Sequence, residues 1–168
     1  MIKDAATTPQ RTNGDAGISA MGHTGPVRVT SLFLADHAEA VGGKLYVTGG
    51  GWDTIRASGF PTVHPHLSVC VALEVGWEDM DRPVDVRVVL LDADGRSTLP
   101  SAVGGRAEAR RAEHMGPGDT APLLLVFNLL GLRFANPGSF TVSVELDSEP
   151  VAQIPLKLVQ VPKPGNPT

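Results

Sequence analysis

Asn136-Pro137-Gly138 leads into the alternating run Phe140-Thr141-Val142-Ser143-Val144-Glu145-Leu146, and the polar break Asp147-Ser148-Glu149-Pro150 separates it from a second apolar run, Val151 to Val161. A turn followed by apolar residues at every second position is typical of a β-strand with one buried face. The short break predicts that the second run forms a neighbouring strand. Such a pair is typical of a β-sandwich, and the same pattern recurs upstream.

The composition favours many short strands around one core. The chain has 168 residues, 42% of them hydrophobic, which is enough for one domain with a sizeable buried core. Glycine (19 residues) and proline (14) leave little room for long helices. Only 5% of the residues are aromatic, so the core must be built mostly from Val, Leu and Ala, which suits stacked sheets. We therefore predict a single antiparallel β-sandwich, immunoglobulin-like or C2-like, with eight or nine strands.

The predicted β-sandwich domain covers residues 27–161 and lies between two tails. Residues 1–26 contain almost no large apolar side chains, so they are predicted to be a disordered tail in which Met21 is an alternative translation start. Residues 162–168 are predicted to be a flexible C-terminal tail. The sequence shows no apolar stretch of signal-peptide length at its beginning and no run of about 18 apolar residues anywhere. A cytoplasmic protein with no membrane partner is therefore expected.

Several strands are predicted upstream of the decisive stretch. Val27–Ala35 is the first strand, residues 36–40 form a short connecting turn, and Lys44–Thr48 is the second strand. Gly49-Gly50-Gly51 permits backbone angles that side chains forbid, so a bulge or sharp bend is expected there. The run Leu123–Leu130 is too apolar for an edge strand and is expected to lie centrally in a sheet.

The charge pattern argues against nucleic acid as a partner. The formal net charge is −4 and the pI is about 5.7, with the 14 Lys and Arg residues dispersed, whereas phosphate binding requires a basic face. The nearest approach to a basic cluster lies in residues 106–114, where glutamates interleave with Arg106, Arg110 and Arg111. This segment is predicted to be a solvated surface of mixed charge. Its composition suits a helix, but its length between glycine-rich flanks favours a polar edge strand.

Asp92, Asp94 and Gly95 resemble the start of a calcium-binding loop. Closely spaced carboxylates before a glycine are what such loops use, but a complete loop needs further oxygen ligands that residues 96–100 do not supply. A hairpin turn explains the same residues without a metal. The turn is the favoured interpretation, and Asp92 and Asp94 remain weak metal candidates.

His64 and His66 flank Pro65 in a segment predicted to be a loop, residues 60–66. Zinc requires three or four ligands around a tetrahedron, so an H-x-H pair is half of a site, and the sequence identifies no partner for it. A solvated or capping role is favoured, and the two histidines remain weak metal candidates.

No stretch carries the residue spacing of a known catalytic or nucleotide-binding motif. Asp36-His37 has Ser31 nearby in sequence, but there is no G-x-S-x-G elbow, and Gly49-Gly50-Gly51 lacks the helix and lysine of a phosphate-binding loop. Cys70 lies in an apolar run and is predicted to be a small core residue. We therefore assign no catalytic residue and no cofactor.

The two tryptophans, Trp52 and Trp77, allow two interpretations. In a core rich in Val and Leu, large aromatic side chains usually fill the interior. If instead they were exposed on a flat face, they would favour a carbohydrate-binding sandwich.

Short turn-like motifs suggest a family. The chain resembles, over roughly residues 27–158, a group of uncharacterised bacterial proteins that carries only a domain-of-unknown-function label. The motifs that carry this resemblance are Ser31–Ala38, Gly43–Gly50, Trp52-Asp53, Phe60-Pro61, Asp92–Gly95 and Asn136–Phe140. The resemblance implies an all-β sandwich and brings no catalytic residue, ligand or partner.

The sequence thus favours a non-enzymatic β-sandwich that binds another protein, self-associates, or serves as a structural or adaptor module. Exposed sheet edges would be the natural docking surface, since a partner can add a strand there. The alternative is a metal- or carbohydrate-dependent ligand-binding sandwich or hydrolase that uses the loops at residues 60–66 and 92–96.

Overall fold

The computed structural model describes residues 19–20 and 27–162 and shows an all-β protein. The described residues form ten strands, which are β1 (Ser19–Ala20), β2 (Val27–Val41), β3 (Lys44–Gly50), β4 (Thr54–Ala57), β5 (Thr62–Gly76), β6 (Val84–Leu91), β7 (Val103–Ala107), β8 (Thr120–Phe134), β9 (Gly138–Leu146) and β10 (Glu149–Gln160). One 3₁₀ turn, Trp77–Asp79, follows β5. Most of the predicted tails 1–26 and 162–168 lies outside the described residues.

The strands form two sheets. One sheet has six strands in the order β1-β10-β9-β6-β7, with β4 also paired to β10, and the other has four in the order β3-β2-β5-β8. The all-β prediction is confirmed, and the arrangement departs from a purely antiparallel one of eight or nine strands in two details. The sequence gives no sign of β1, which lies in the predicted N-terminal tail and pairs with Gln153 and Ala152. In addition, β4 runs parallel to β10, because the chain crosses from one sheet to the other after Gly51.

The predicted pair at the end of the chain is confirmed as β9 and β10. Asp147 and Ser148 join them with positive φ angles of 49° and 75°, which makes a two-residue hairpin without glycine. Alternate residues of β9 are buried in the core, as are alternate residues of β6, including Val86, Val88 and Val144. Their side chains meet those of β2, β5 and β8 in one apolar cluster, so the two sheets share a single core.

The turn predicted at residues 36–40 is wrong, because β2 continues without interruption to Val41. The chain reverses instead at Gly42 and Gly43, whose φ angles of 57° and 72° suit a two-residue hairpin. The bend predicted at the glycine triplet is confirmed, with positive φ at Gly49 and Gly51. A Cβ at Gly49 would collide with the carboxylate of Asp36, so this strand crossing requires glycine.

The loop predicted at residues 60–66 is also largely wrong, because β5 begins at Thr62 and contains His64, Pro65 and His66. The ladder between β2 and β5 ends at the pair Ala35 and Ser68. Beyond that point β5 pairs with β8 alone, and this ladder skips Pro65, which has no N–H to donate, between the pairs His64–Leu132 and His66–Leu130.

The prediction that Leu123–Leu130 lies centrally was wrong, because β8 is the last strand of the four-stranded sheet. The strand is apolar on both faces because each face covers buried residues. Leu123, Leu125 and Phe127 pack against the main core, while Val126 on the opposite face helps to cover Cys70.

Residues 106–114 are neither a helix nor a full strand. The predicted edge strand ends at Ala107, and the rest of the segment is irregular. Ala109 is buried and its carbonyl accepts a hydrogen bond from the amide of Asp81 at 2.8 Å. Arg111 contacts Asp81 as well, with 3.5 Å between Nε and Oδ2, so side-chain contacts replace regular structure here.

Candidate functional site

The free edge of β8 is the feature of the fold with the clearest capacity to bind. The strand pairs with β5 from Thr120 to Phe134 and carries no charged residue from Ala121 to Leu132. Leu130 on this strand is 71% exposed, the largest exposure among the large hydrophobic side chains of the described residues. Natural proteins usually protect exposed edge strands with lysines or other charges, and this strand has none over twelve positions.

The direction of the backbone groups of β8 follows from two hydrogen bonds. The amide of Trp77 donates to the carbonyl of Asp119 at 3.0 Å, so position 119 faces β5. The hydroxyl of Thr30 in β2 donates to the carbonyl of Ala72 at 3.1 Å, so Ala72 faces β2 and its partner Leu124 faces away from β5.

Backbone groups alternate along an antiparallel pair. From Ala121 to Asn128, before Gly131 with its positive φ of 61° interrupts the alternation, the even-numbered residues Leu124, Val126 and Asn128 therefore direct their N–H and C=O groups toward the free edge. Pro122 belongs to the same set, where the lack of an N–H costs no bond to β5.

A cleft lies beside this edge, between the second half of β8 and the residues that lead into β7. It has a volume of about 510 Å³, within the range of small-ligand pockets. Thr98 and Arg133 provide polar groups in its lining. The apolar part of the lining consists of Leu90, Leu99, Val103, Leu129, Leu132 and Phe134.

On the opposite face, a polar network ties β8 to the neighbouring strands. The Ser68 hydroxyl donates to Asn128 Oδ1 at 2.5 Å and accepts from the amide of Ala38 at 2.9 Å. His66 Nε2 lies 3.0 Å from the same oxygen of Asn128, and the His66 and His37 rings meet edge to face at 5.1 Å. His66 therefore has a structural partner, and the network fixes β2 over the end of β5.

His64, the other histidine among the predicted metal candidates, lies near Trp52, with 5.8 Å between the ring centres. Its Nε2 and the Trp52 Nε1 are buried without a hydrogen-bond partner among the described residues. Burial lowers the pKa of His64 below its usual value, against smaller opposing effects of the His66 backbone and Asp36.

The stability of the protein is expected to fall in mild acid because of His64. The unfolded chain binds a proton on this side chain near pH 6.5, while the folded chain resists it, so stability is greatest above pH 6.5 and falls as the pH drops below that value. Urea midpoints at pH 7.5 and pH 5.5 check this. Between these two pH values, His64→Gln should lose less stability than the wild type. A variant with the exposed His114 substituted should lose as much stability as the wild type. Equal losses of stability in all three proteins would contradict the assignment of this pH dependence to His64.

Asp92 and Asp94 form the predicted turn. Asp92 Oδ1 accepts hydrogen bonds from the amides of Arg96 and Asp94, both at 2.9 Å, and Gly95 has a φ of 76°. The hydrogen bond from the amide of Arg96 holds the pKa of Asp92 below its usual value; burial opposes this shift, and the amide of Asp94 and the Arg96 guanidinium add to it. Arg96 also forms a salt bridge with Asp94. The hairpin interpretation is thus confirmed, and both carboxylates are engaged within the turn.

No group of three or more His, Cys, Asp or Glu side chains within residues 27–162 has the geometry to hold a metal ion. The structure therefore leaves the four predicted candidates, His64, His66, Asp92 and Asp94, in separate structural roles. Likewise, no helix in the described part of the chain is long and apolar enough to cross a membrane.

Both tryptophans are half-buried against the main core. The guanidinium of Arg111 covers the Trp77 ring at 4.4 Å and donates to the Trp77 carbonyl at 2.9 Å. The core interpretation accounts for both side chains, and Arg111 covers one face of the Trp77 ring.

Cys70 is fully buried, as predicted, and burial raises the pKa of its thiol to about 11. An ordinary thiol has a pKa near 9, so the thiolate fraction at neutral pH is about 100-fold lower than that of an exposed cysteine. We expect almost no reaction with a thiol reagent such as DTNB in the native protein and rapid reaction in urea. Fast labelling of the folded protein would show that Cys70 is accessible.

Sequence reasoning missed β8 as the docking candidate. The uncharged run Leu123–Leu130 is visible in the sequence, but its pattern predicts a central strand. The strand order that exposes this edge depends on which distant strands pair, and the local pattern does not contain that information.

Two solved structures are similar to this chain at low sequence identity. An alkylpurine DNA glycosylase, AlkC of Pseudomonas fluorescens bound to DNA with an abasic site analogue, is 13% identical with a TM-score of 0.41, over 79% of this chain. The chain spans about 30% of the length of that enzyme. The C-terminal domain of wzt is 10% identical with a TM-score of 0.42, over 86% of this chain and 78% of that domain.

No curated protein matches the sequence. The resemblance to an uncharacterised protein family is confirmed by a family match that spans most of the folded region. Residues 30–159 match the family of unknown function DUF6941, and the chain belongs to that family.

Proposed function

We propose that this chain is a non-enzymatic protein-binding module that accepts a strand at the free edge of β8. The observation that supports this most strongly is a strand of 15 residues, uncharged from Ala121 to Leu132, whose alternate backbone groups point away from its one neighbour. A long apolar edge is an aggregation hazard unless something covers it. A bound partner strand would cover it.

The cleft supports the same mode of binding. In strand addition, backbone hydrogen bonds provide affinity and pockets for alternate side chains provide specificity. A strand bound to β8 would direct every second side chain toward the gap between the sheets, where the cleft of about 510 Å³ opens. The partner segment is therefore expected to be extended, with apolar side chains at alternate positions.

The proposal extends to the finer fold class and to location. We propose that the two sheets form an immunoglobulin-like or C2-like sandwich. We also propose that the protein lies in the cytoplasm of a bacterium. The sequence has a single cysteine, Cys70, and so forms no disulfide within the chain, which is usual for proteins of a reducing compartment.

Site-specific photo-crosslinking in cells of the source organism tests the docking surface. A photoreactive amino acid replaces Leu130 on β8 in one protein, and in the control it replaces Tyr46 on β3, the other edge of the same sheet. Both side chains are well exposed, at 71% and 58%. The proposal predicts a discrete protein adduct from position 130 and none from position 46. Equal labelling at both positions, or no adduct at position 130, would refute it.

A second candidate function is the binding of a small apolar ligand in the cleft, as a form of the ligand-binding alternative. The size and apolar lining of the cleft support it, rather than the segments at residues 60–66 and 92–96. A panel of apolar ligands should then raise the melting temperature, and Leu99→Lys at the cleft wall should abolish the rise. If no ligand class raises it, this second candidate fails.

A further inference from the structure

We propose that the partner at this edge is a second copy of the same chain, with the two β8 strands paired antiparallel about a two-fold axis at Val126. This inference rests on the proposed function, because it requires β8 to be a free strand-accepting edge. Two copies would then share one continuous eight-stranded sheet, and neither β8 edge would remain open.

The backbone groups of β8 are compatible with this register. In an antiparallel pair, hydrogen-bonded residues lie opposite one another with their groups directed across the interface. A two-fold axis at Val126 places Leu124 opposite Asn128 of the other copy, and both positions direct their groups outward. Pro122 lies opposite Leu130, so the site without an N–H falls near the end of the paired segment.

The charges at the ends of β8 select this register. Asp119 and Arg133 border the uncharged segment, both are exposed, and neither takes part in a salt bridge within residues 27–162. An axis at Val126 places Asp119 of each copy opposite Arg133 of the other, which gives two symmetric opposite-charge pairs. A shift of two residues would place Arg133 opposite Pro117 or Ala121 and lose both pairs.

The apolar side chains are also self-complementary. The two-fold axis places Val126 of one copy opposite Val126 of the other, and Leu130 opposite Pro122, so apolar side chains meet at three of the outward-bonding pairs. No like charges meet anywhere between the two ends, because the segment has no charge. Opposite charges placed at the two ends are the usual means of fixing register and partner choice in such pairs.

Sedimentation of the purified full-length protein over a concentration series tests the inference. The wild type is expected to dimerise. Asp119→Arg and Arg133→Asp each create two like-charge pairs and should weaken the dimer about tenfold or more. The double variant restores both opposite-charge pairs and should recover the wild-type dissociation constant within about threefold. Thermal melts confirm that each variant is folded.

A monomeric wild type at about 100 μM, or a dimer that neither single charge reversal weakens, would overturn the inference. The proposed function can survive that result. If the purified protein is monomeric while position 130 crosslinks a different protein in cells, the self-pairing fails and strand acceptance stands. If position 130 yields no adduct and the protein is monomeric, both fail.

Discussion

Proline at position 125 is expected to destabilise the protein severely, whereas proline at position 124 should be tolerated. Leu125 lies opposite Val71, and its backbone groups face β5, so proline removes a ladder hydrogen bond from the sheet. Leu124 directs its N–H to the free edge, where its loss costs no internal bond. Proline at position 125 should lower the free energy of unfolding by about 3 kcal/mol more than alanine does, because it leaves a carbonyl of β5 unsatisfied and displaces the strand.

Urea denaturation of four variants measures this difference. Leu124→Ala and Leu125→Ala remove the side chains alone, so the difference between proline and alanine at each position isolates the backbone effect. Leu124→Pro should keep its fold and lose strand acceptance, because the ring blocks the edge. Similar backbone penalties at both positions would show that the assigned alternation of β8 is incorrect.

Gly104→Ala in β7 should destabilise the protein by about 2 kcal/mol, while Gly105→Ala should be nearly neutral. A Cβ at Gly104 would collide with the carbonyl oxygen of Val86 and lie 2.9 Å from Arg87 Cγ, so β7 would have to move away from β6. A Cβ at Gly105 meets nothing within 4 Å. Alanine there restricts the unfolded chain and costs the folded state little.

Thermal denaturation checks this pair. For a domain of this size, about 2 kcal/mol corresponds to a fall in Tm of about 4–8 °C for Gly104→Ala. Gly105→Ala should melt within about 1–2 °C of the wild type, since substitutions in open space are usually small in effect. An equal fall in both variants would mean that β7 does not pack against β6 at this distance.

The sequence predicted the elements that depend on local pattern. The alternation at Phe140–Leu146 and the turn residues Asp92 and Gly95 determine strand and hairpin geometry through neighbouring residues, and the structure confirms both. The same reasoning failed at residues 36–40 and 62–66. There the polar and proline residues suggested loops, but pairing with distant strands decided the conformation.

The position of the candidate site depends on the pairing of distant strands, which the local sequence pattern does not determine. Leu123–Leu130 looks the same in sequence whether its second neighbour is another strand of this chain or solvent. The position of β8 at the end of the sheet follows from the pairing of β5 with both β2 and β8, which are separated by many residues. Buried apolar contact on both faces explains why an edge strand carries a central-strand sequence.

Residue-resolved amide exchange by NMR tests the free edge of β8 most directly, at a concentration where the protein is monomeric. The account predicts alternation: slow exchange at Leu123, Leu125 and Phe127, which bond to β5, and fast exchange at Leu124 and Val126, which face solvent. Slow exchange at all five amides in the monomer would contradict it, because the edge would then already be covered within a single chain.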